Sequence, residues 1–120
     1  MRTVLVVDDE WAVADVLEAL LGDEGYRVVT ASNGAQALHR LAEARPDLVI
    51  ADFMMPVLDG AGLLQALRER PETVEIPVIL MSSLPEAAVA ERCVGYQVYL
   101  RKPFRIAEVL AAIDAARAGR

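Results

Sequence analysis

Five strand-like runs alternate with helix-like segments along this 120-residue chain. The runs are predicted at residues 3–8, 27–31, 48–52, 78–82 and 97–101. They are almost entirely apolar, which is typical of parallel strands that are buried on both faces of a sheet. Regular alternation of such strands with helices predicts a parallel sheet with helices packed on both sides. The sequence therefore predicts an α/β fold of three layers.

The segments between the strands repeat apolar residues at helical spacing. The first helix is predicted near residues 11–22, and a short, alanine-rich fourth helix near residues 86–94. Asn33 and Asp59 each stand before a glycine where the second and third helices are predicted to begin. We expect the first helix to face the core along a stripe of Val13, Val16, Leu17, Leu20 and Leu21. The last helix repeats this spacing at Ile106, Val109, Leu110 and Ile113.

Size and composition restrict the class of protein. A chain of 120 residues predicts one domain, residues 1–120. No apolar run approaches the ~18 residues of a membrane span, and the N-terminus has no signal-peptide pattern, so we expect a cytoplasmic location without membrane association. Cys93 is the only cysteine and excludes an internal disulfide. The net charge of −6 argues against direct nucleic-acid binding.

Three carboxylates and one ammonium group stand at predicted strand ends. Asp8 and Asp9 follow the first apolar run, Asp52 ends the third run, and Lys102 follows the fifth. Because ligands bind outside the carboxyl ends of parallel strands, we expect these side chains to converge. Closely packed carboxylates repel one another unless a cation holds them together. Mg²⁺ prefers such hard oxygen ligands, so the pattern predicts a magnesium site.

The adjacent pair Asp8-Asp9 also has a simpler interpretation. A single aspartate after a strand is commonly the N-cap of the next helix. Two adjacent acids cannot both cap one helix, and Glu10 adds a third negative charge. With Asp52 at another strand end, capping is the weaker interpretation of the two.

Four motifs follow one another along the chain. They are Val6-Val7-Asp8-Asp9-Glu10, Asp52-Phe53-Met54-Met55-Pro56-Val57-Leu58-Asp59-Gly60, Pro77-Val78-Ile79-Leu80-Met81-Ser82 and Tyr99-Leu100-Arg101-Lys102-Pro103-Phe104. In this order they resemble the receiver domain of bacterial two-component response regulators, over essentially the whole chain. The resemblance implies a flavodoxin-like (βα)5 fold, with a five-stranded parallel sheet in the order 2-1-3-4-5.

The resemblance also implies roles for single residues. Asp52 would accept a phosphoryl group from a histidine kinase or phosphotransfer protein. Asp9, Asp52 and the backbone carbonyl of Met54 would ligate Mg²⁺ directly, and Asp8 would act through water. Lys102 would contact the phosphoryl oxygens, and its bond to the following proline resembles the cis peptide of this family.

Two further residues match the switch positions of the family. Ser82 would hydrogen-bond the phosphoryl group, although a capping serine is its simpler interpretation. Tyr99 would be the rotating aromatic residue, although a tyrosine on an edge strand is common. Together they would change partner binding through the face formed by the fourth helix, the fifth strand and the fifth helix. The output partner is not specified, and a phosphorylation-dependent homodimer is one expected outcome.

Several features depart from the resemblance or extend it. The segment between Ser82 and Lys102 is short, which predicts a truncated or loosely formed fourth helix. Trp11 follows the acidic pair closely, so we expect its indole to lie near the metal site and to shield it; the alternative is that it points outward, since the apolar stripe begins at Val13. The last helix carries a small-residue surface that could receive a partner, formed by Ala111, Ala112, Ala115 and Ala116.

Three other classes compete with a phosphorylation switch. A phosphatase of the haloacid dehalogenase type needs a second acid where Met54 stands. A flavodoxin-like cofactor binder needs a Gly/Ser/Thr-rich loop after the first strand, and the acidic residues there would repel a phosphate. A degenerate receiver would lack parts of the acidic site, which is complete here. The sequence leaves open whether the chain acts alone or belongs to a longer protein.

Overall fold

A five-stranded parallel sheet organises residues 2–118, which this computed structural model describes. The strands are β1 (Thr3–Val7), β2 (Arg27–Ala31), β3 (Leu48–Asp52), β4 (Val78–Ser82) and β5 (Val98–Arg101). Their order in the sheet is β2-β1-β3-β4-β5, and every neighbouring pair is parallel. The predicted flavodoxin-like order is confirmed.

Five helices cover the two faces of the sheet. They are α1 (Trp11–Asp23), α2 (Gly34–Ala44), α3 (Gly60–Arg68), α4 (Glu86–Ala90) and α5 (Ile106–Ala118). Successive residues of β1 point to opposite faces, so Leu5 packs in the core beneath α2, α3 and α4, and Val6 packs in the core beneath α1 and α5. The three predicted layers are therefore present.

The buried faces of α1 and α5 differ from the predicted ones. Val16 is 56 % exposed, because α1 packs on the sheet through Ala14, Leu17 and Leu21, which repeat every three or four residues. Ile106 is 62 % exposed at the start of α5. The four alanines predicted to form a partner surface on α5 do not lie on one free face. Ala112 and Ala116 are buried, whereas Ala111 and Ala115 are exposed.

The fourth helix is short, as expected, but it ends earlier than predicted. It has five residues and closes at Ala90 rather than near residue 94. Val89 is its one buried residue, and Cys93 packs into the same core just beyond it. Between α4 and β5 the chain turns at Gly95, which has a φ of +97°. No helix within residues 2–118 has the length and apolar character needed to cross a membrane.

Candidate functional site

The predicted convergence of charged groups occurs where β1 and β3 end side by side. Asp8 follows β1, and its amide donates a hydrogen bond to Ala31 at the end of β2. Asp52 is the last residue of β3 and pairs with Met81 of β4. Both aspartates are buried, with exposed fractions of 2 % and 7 %. The sheet therefore holds two carboxylates at its central switch point, where ligands of this fold type bind.

Lys102 lies between these carboxylates. Its Nζ is 2.8 Å from Asp8 Oδ2, 3.2 Å from Glu10 Oε1 and 3.3 Å from Asp52 Oδ1. The backbone at this position is held by the Lys102 amide, which donates to the carbonyl oxygen of Ser82. The Lys102–Pro103 peptide is cis. A single ammonium group thus partly neutralises three acids at the sheet edge.

Burial and neighbouring charge shift the protonation of the two central groups. Burial, reinforced by the charge of Asp8, raises the pKa of Asp52 from 3.8 to about 6 despite the opposing effect of Lys102. Burial alone would lower the pKa of Lys102. The hydrogen bond to Asp8 and the charges of Asp52 and Asp8 outweigh it and raise that pKa to about 12. Lys102 is therefore charged throughout the physiological range.

Glu10 belongs to this cluster, and sequence reasoning did not assign it a role. Carboxylate oxygens of Asp8, Glu10 and Asp52 lie within 4.8 Å of one another. Asp9 is exposed and lines the adjoining cavity with Asp52 and Met54. The sequence shows three consecutive acids after β1, but it does not show which of their side chains point toward Asp52.

The donor set of this cluster suits a magnesium ion. Carboxylate oxygens are hard ligands, and Mg²⁺ is usually held by a few of them together with water. Asp9 is exposed, so the cluster is open to solvent. The Lys102 ammonium lies among the three carboxylates, which shows that they stabilise a positive charge at this point. The residues of the site therefore fit the predicted metal.

The loop after β3 brings further predicted residues to the site. Asp59 caps α3, since its Oδ1 accepts from the amide of Gly62 at 2.9 Å. Gly60 is required at the next position, because a Cβ there would lie 2.5 Å from the carbonyl oxygen of Asp52. Met54 follows Asp52 on this loop, and its side chain is 63 % exposed. The phosphatase alternative would require an acid at this position, and Met54 is not one.

A cavity of about 730 Å³ opens beside Asp52 and Lys102. Its apolar wall comes from α1 and from the segment after β5, and consists of Ala12, Val13, Val16, Pro103 and Phe104. Trp11 is not part of this wall and is 76 % exposed. The expectation that Trp11 shields the pocket is therefore wrong, because the start of α1 directs the indole into solvent.

The predicted switch residues contact the same loop. Ser82 is buried at the end of β4, and its Oγ accepts from the amide of Leu84 at 3.1 Å, so it stabilises a local turn rather than capping α4. The Tyr99 hydroxyl donates to the carbonyl oxygen of Leu84 at 2.5 Å. The Arg101 Nε donates to the neighbouring carbonyl oxygen of Ser83 at 3.0 Å. Side chains of β5 therefore hold the β4–α4 loop at two successive carbonyls.

Comparison with known proteins agrees with this architecture. Residues 4–114 match the family model described as the response regulator receiver domain. The probable transcriptional regulator ycf27 of Guillardia theta is 41 % identical over 116 residues, which cover 93 % of this chain and 44 % of that protein. The transcriptional regulatory protein PrrA of Mycobacterium leprae is 42 % identical over 112 residues, covering 93 % of this chain and 48 % of that protein.

A solved structure gives the same result for the fold. The receiver domain of the sensor histidine kinase PA1611 of Pseudomonas aeruginosa, described with a magnesium ion coordinated in its active-site cleft, superposes with a TM-score of 0.89. It is 29 % identical, and the alignment covers 98 % of each chain. This chain spans slightly less than half the length of the two curated relatives named above.

Proposed function

This chain belongs to the response regulator receiver domains of two-component systems, and from that membership we propose that it is a phosphorylation switch with Asp52 as its phosphoacceptor. The observation that carries this assignment is the position of Asp52: buried at the end of β3, open to a cavity, and 3.3 Å from Lys102. Relatives named as regulators support a signalling role over an enzymatic one.

The proposed reaction transfers a phosphoryl group from a phosphohistidine to an Asp52 carboxylate oxygen. The carboxylate attacks phosphorus, the P–N bond breaks, and the imidazole of the donor leaves with the bonding electron pair and takes a proton. A bound Mg²⁺ would neutralise the negative charge of the phosphoryl oxygens. Asp9, Asp52 and the Met54 carbonyl would hold this ion directly, and Asp8 through water.

Lys102 has the electrostatic role in this proposal. Its ammonium is held within 3.3 Å of Asp52, so a phosphoryl group on that carboxylate would arrive beside a fixed positive charge. The raised pKa of Lys102 keeps this charge in place at any working pH. A charged lysine also suits a phosphoryl group better than a neutral donor would, since charge-assisted hydrogen bonds are stronger.

The proposed donor is a protein, a histidine kinase or a phosphotransfer protein. The described residues include no glycine-rich phosphate loop, which argues against ATP as the direct donor and favours a phosphorylated partner. The apolar cavity wall beside Asp52, with Val16 and Phe104, offers such a partner a surface next to the acceptor. We propose a cytoplasmic location for the chain, where it would meet such partners.

Output would pass through Ser82 and Tyr99 to the face formed by α4, β5 and α5. Ser82 would turn its hydroxyl from Leu84 to the phosphoryl oxygen, and the loop after β4 would follow. The curated relatives are about twice as long as this chain, so a DNA-binding function would belong to a segment outside it. The output partner is unspecified, and phosphorylation-dependent homodimerisation is one form the output can take.

Beryllofluoride, a mimic of an aspartyl phosphate, tests the proposal by calorimetry. With Mg²⁺ present, the wild type should bind one beryllofluoride and Asp52→Asn none. Asp15→Asn, which removes an exposed carboxylate of α1, should bind as the wild type does. Equal binding by Asp52→Asn would contradict the assignment of the phosphoacceptor.

A further inference from the structure

Glu10 stands at the N-cap of α1 without acting as a cap. Its backbone conformation is extended, with φ −88° and ψ 98°, and its side chain accepts no hydrogen bond from the helix. Serine, threonine, aspartate and asparagine are the favoured residues at this position. The Glu10 carboxylate is instead directed to Lys102 Nζ at 3.2 Å. The local sequence thus forgoes a helix cap and gains a contact with the central lysine.

The hydrogen-bonding capacity of Lys102 gives this contact a consequence. A lysine ammonium group has three donors, and the Nζ of Lys102 faces three carboxylates, those of Asp8, Glu10 and Asp52. Its hydrogen bonds go to Asp8 and Glu10, so these two acids would compete with a phosphoryl oxygen on Asp52 for the same ammonium group.

Burial decides which contact is the weaker one. The Asp8 side chain is fully buried and lies 2.8 Å from Nζ, so losing this partner would leave a buried charge unpaired. The Glu10 side chain is 65 % exposed and its contact is longer, so water replaces the lysine at little cost. Glu10 is therefore the partner that Lys102 can leave most easily.

We propose that Glu10 is a positioning residue that holds the Lys102 ammonium toward α1 in the unphosphorylated protein and releases it when the phosphoryl group arrives. The inference rests on the proposed function and adds to it a residue that sets the balance between the two states. Weakening the Glu10 contact should favour the phosphorylated form, because Lys102 then has less to lose. An exposed pair of this kind corresponds to a change of about two- to five-fold in affinity.

Two substitutions separate the contact from the charge. Glu10→Gln removes the negative charge, and Glu10→Asp keeps it but shortens the side chain by one methylene, so that the carboxylate no longer reaches Nζ. In saturating Mg²⁺, both variants should bind beryllofluoride two- to five-fold more tightly than the wild type in a calorimetric titration. The matched control Asp15→Asn, on the exposed side of α1, should bind as the wild type does.

Each other result has a distinct meaning. Tighter binding by Glu10→Gln with no change in Glu10→Asp would show a general charge effect and overturn the inference. Weaker binding by both variants would also overturn it. A titration of Mg²⁺ alone should give affinities within about two-fold of the wild type, and loss of binding would make Glu10 a metal ligand instead. Failure of the wild type to bind beryllofluoride would contradict the proposed function itself, and the inference with it.

Discussion

The hydroxyl of Tyr99 on β5 donates a hydrogen bond to the carbonyl oxygen of Leu84, two residues beyond Ser82. This 2.5 Å contact joins the last strand of the sheet to the loop that leads from β4 into α4. The contact of Arg101 with Ser83 lies beside it. Because both bonds hold the loop that follows Ser82, we expect a movement of this proposed switch residue to be transmitted to β5 and α4.

The segment from residue 84 to residue 98 should become more protected on activation. Its helix α4 has only five residues, with Val89 buried, so few contacts oppose its local unfolding. A cation–π contact, with the Arg92 guanidinium 5.8 Å from the ring centre of Phe53, ties its end to the residue after Asp52. Beryllofluoride with Mg²⁺ should therefore slow amide hydrogen exchange in residues 84–98.

Helix α2 provides the internal control for that measurement. It packs on the sheet face that α4 also covers, but over β1 and β2, at the other side of the sheet from β5, so its exchange should not change. Unchanged exchange in residues 84–98, with beryllofluoride demonstrably bound, would contradict coupling between Asp52 and α4.

Gly60 and Gly22 should respond oppositely to alanine. A Cβ at Gly60 would lie 2.5 Å from the carbonyl oxygen of Asp52 and 2.8 Å from the Cα of Phe53, so the backbone that carries the acceptor must shift. Gly60→Ala should lower the free energy of unfolding by about 1–3 kcal/mol. A Cβ at Gly22, inside α1, meets nothing within 4 Å, and alanine there should add about 0.5–1 kcal/mol.

Urea unfolding measures both alanine substitutions. The same Gly60→Ala protein should also bind Mg²⁺ more weakly, because the displaced carbonyl belongs to a proposed ligand residue. Equal stabilities for the two variants would show that the contact between Gly60 and β3 is looser than the structure describes.

The proton affinity of Asp52 predicts a pH dependence of stability in the absence of metal. The pKa of Asp52 is raised from 3.8 to about 6 in the folded protein. Between these values the folded protein keeps a proton that the unfolded chain has released, so the free energy of unfolding falls as pH rises from about 4 to about 6. The loss is at most about 3 kcal/mol, since each pKa unit corresponds to about 1.4 kcal/mol.

Asp52→Asn isolates this contribution, because asparagine does not titrate. The free energy of unfolding of the wild type, minus that of Asp52→Asn, should decline through the window from pH 4 to pH 6 and level off above it. Parallel stability curves for the two proteins would show that the environment of Asp52 does not oppose its ionisation.

Strand-end positions made much of the site predictable. Asp8, Asp52 and Lys102 follow apolar runs, and the topology of a parallel sheet brings such positions to one edge. The reach of Glu10 toward Lys102 depends on side-chain directions that spacing does not reveal. In the same way, helical periodicity showed that Val16 and Ile106 lie on apolar stripes but not how far each helix rotates its stripe toward solvent.

Mass spectrometry of the protein after incubation with Mg²⁺ and acetyl phosphate tests the central claim most directly. The account predicts that the wild type gains a single phosphoryl group, which maps to Asp52, and that Asp52→Asn gains none. Asp15→Asn, with an equal loss of charge on the surface of α1, should be labelled as the wild type is. A phosphoryl group of equal yield on Asp52→Asn, or one that maps to another residue of the wild type, would contradict the account.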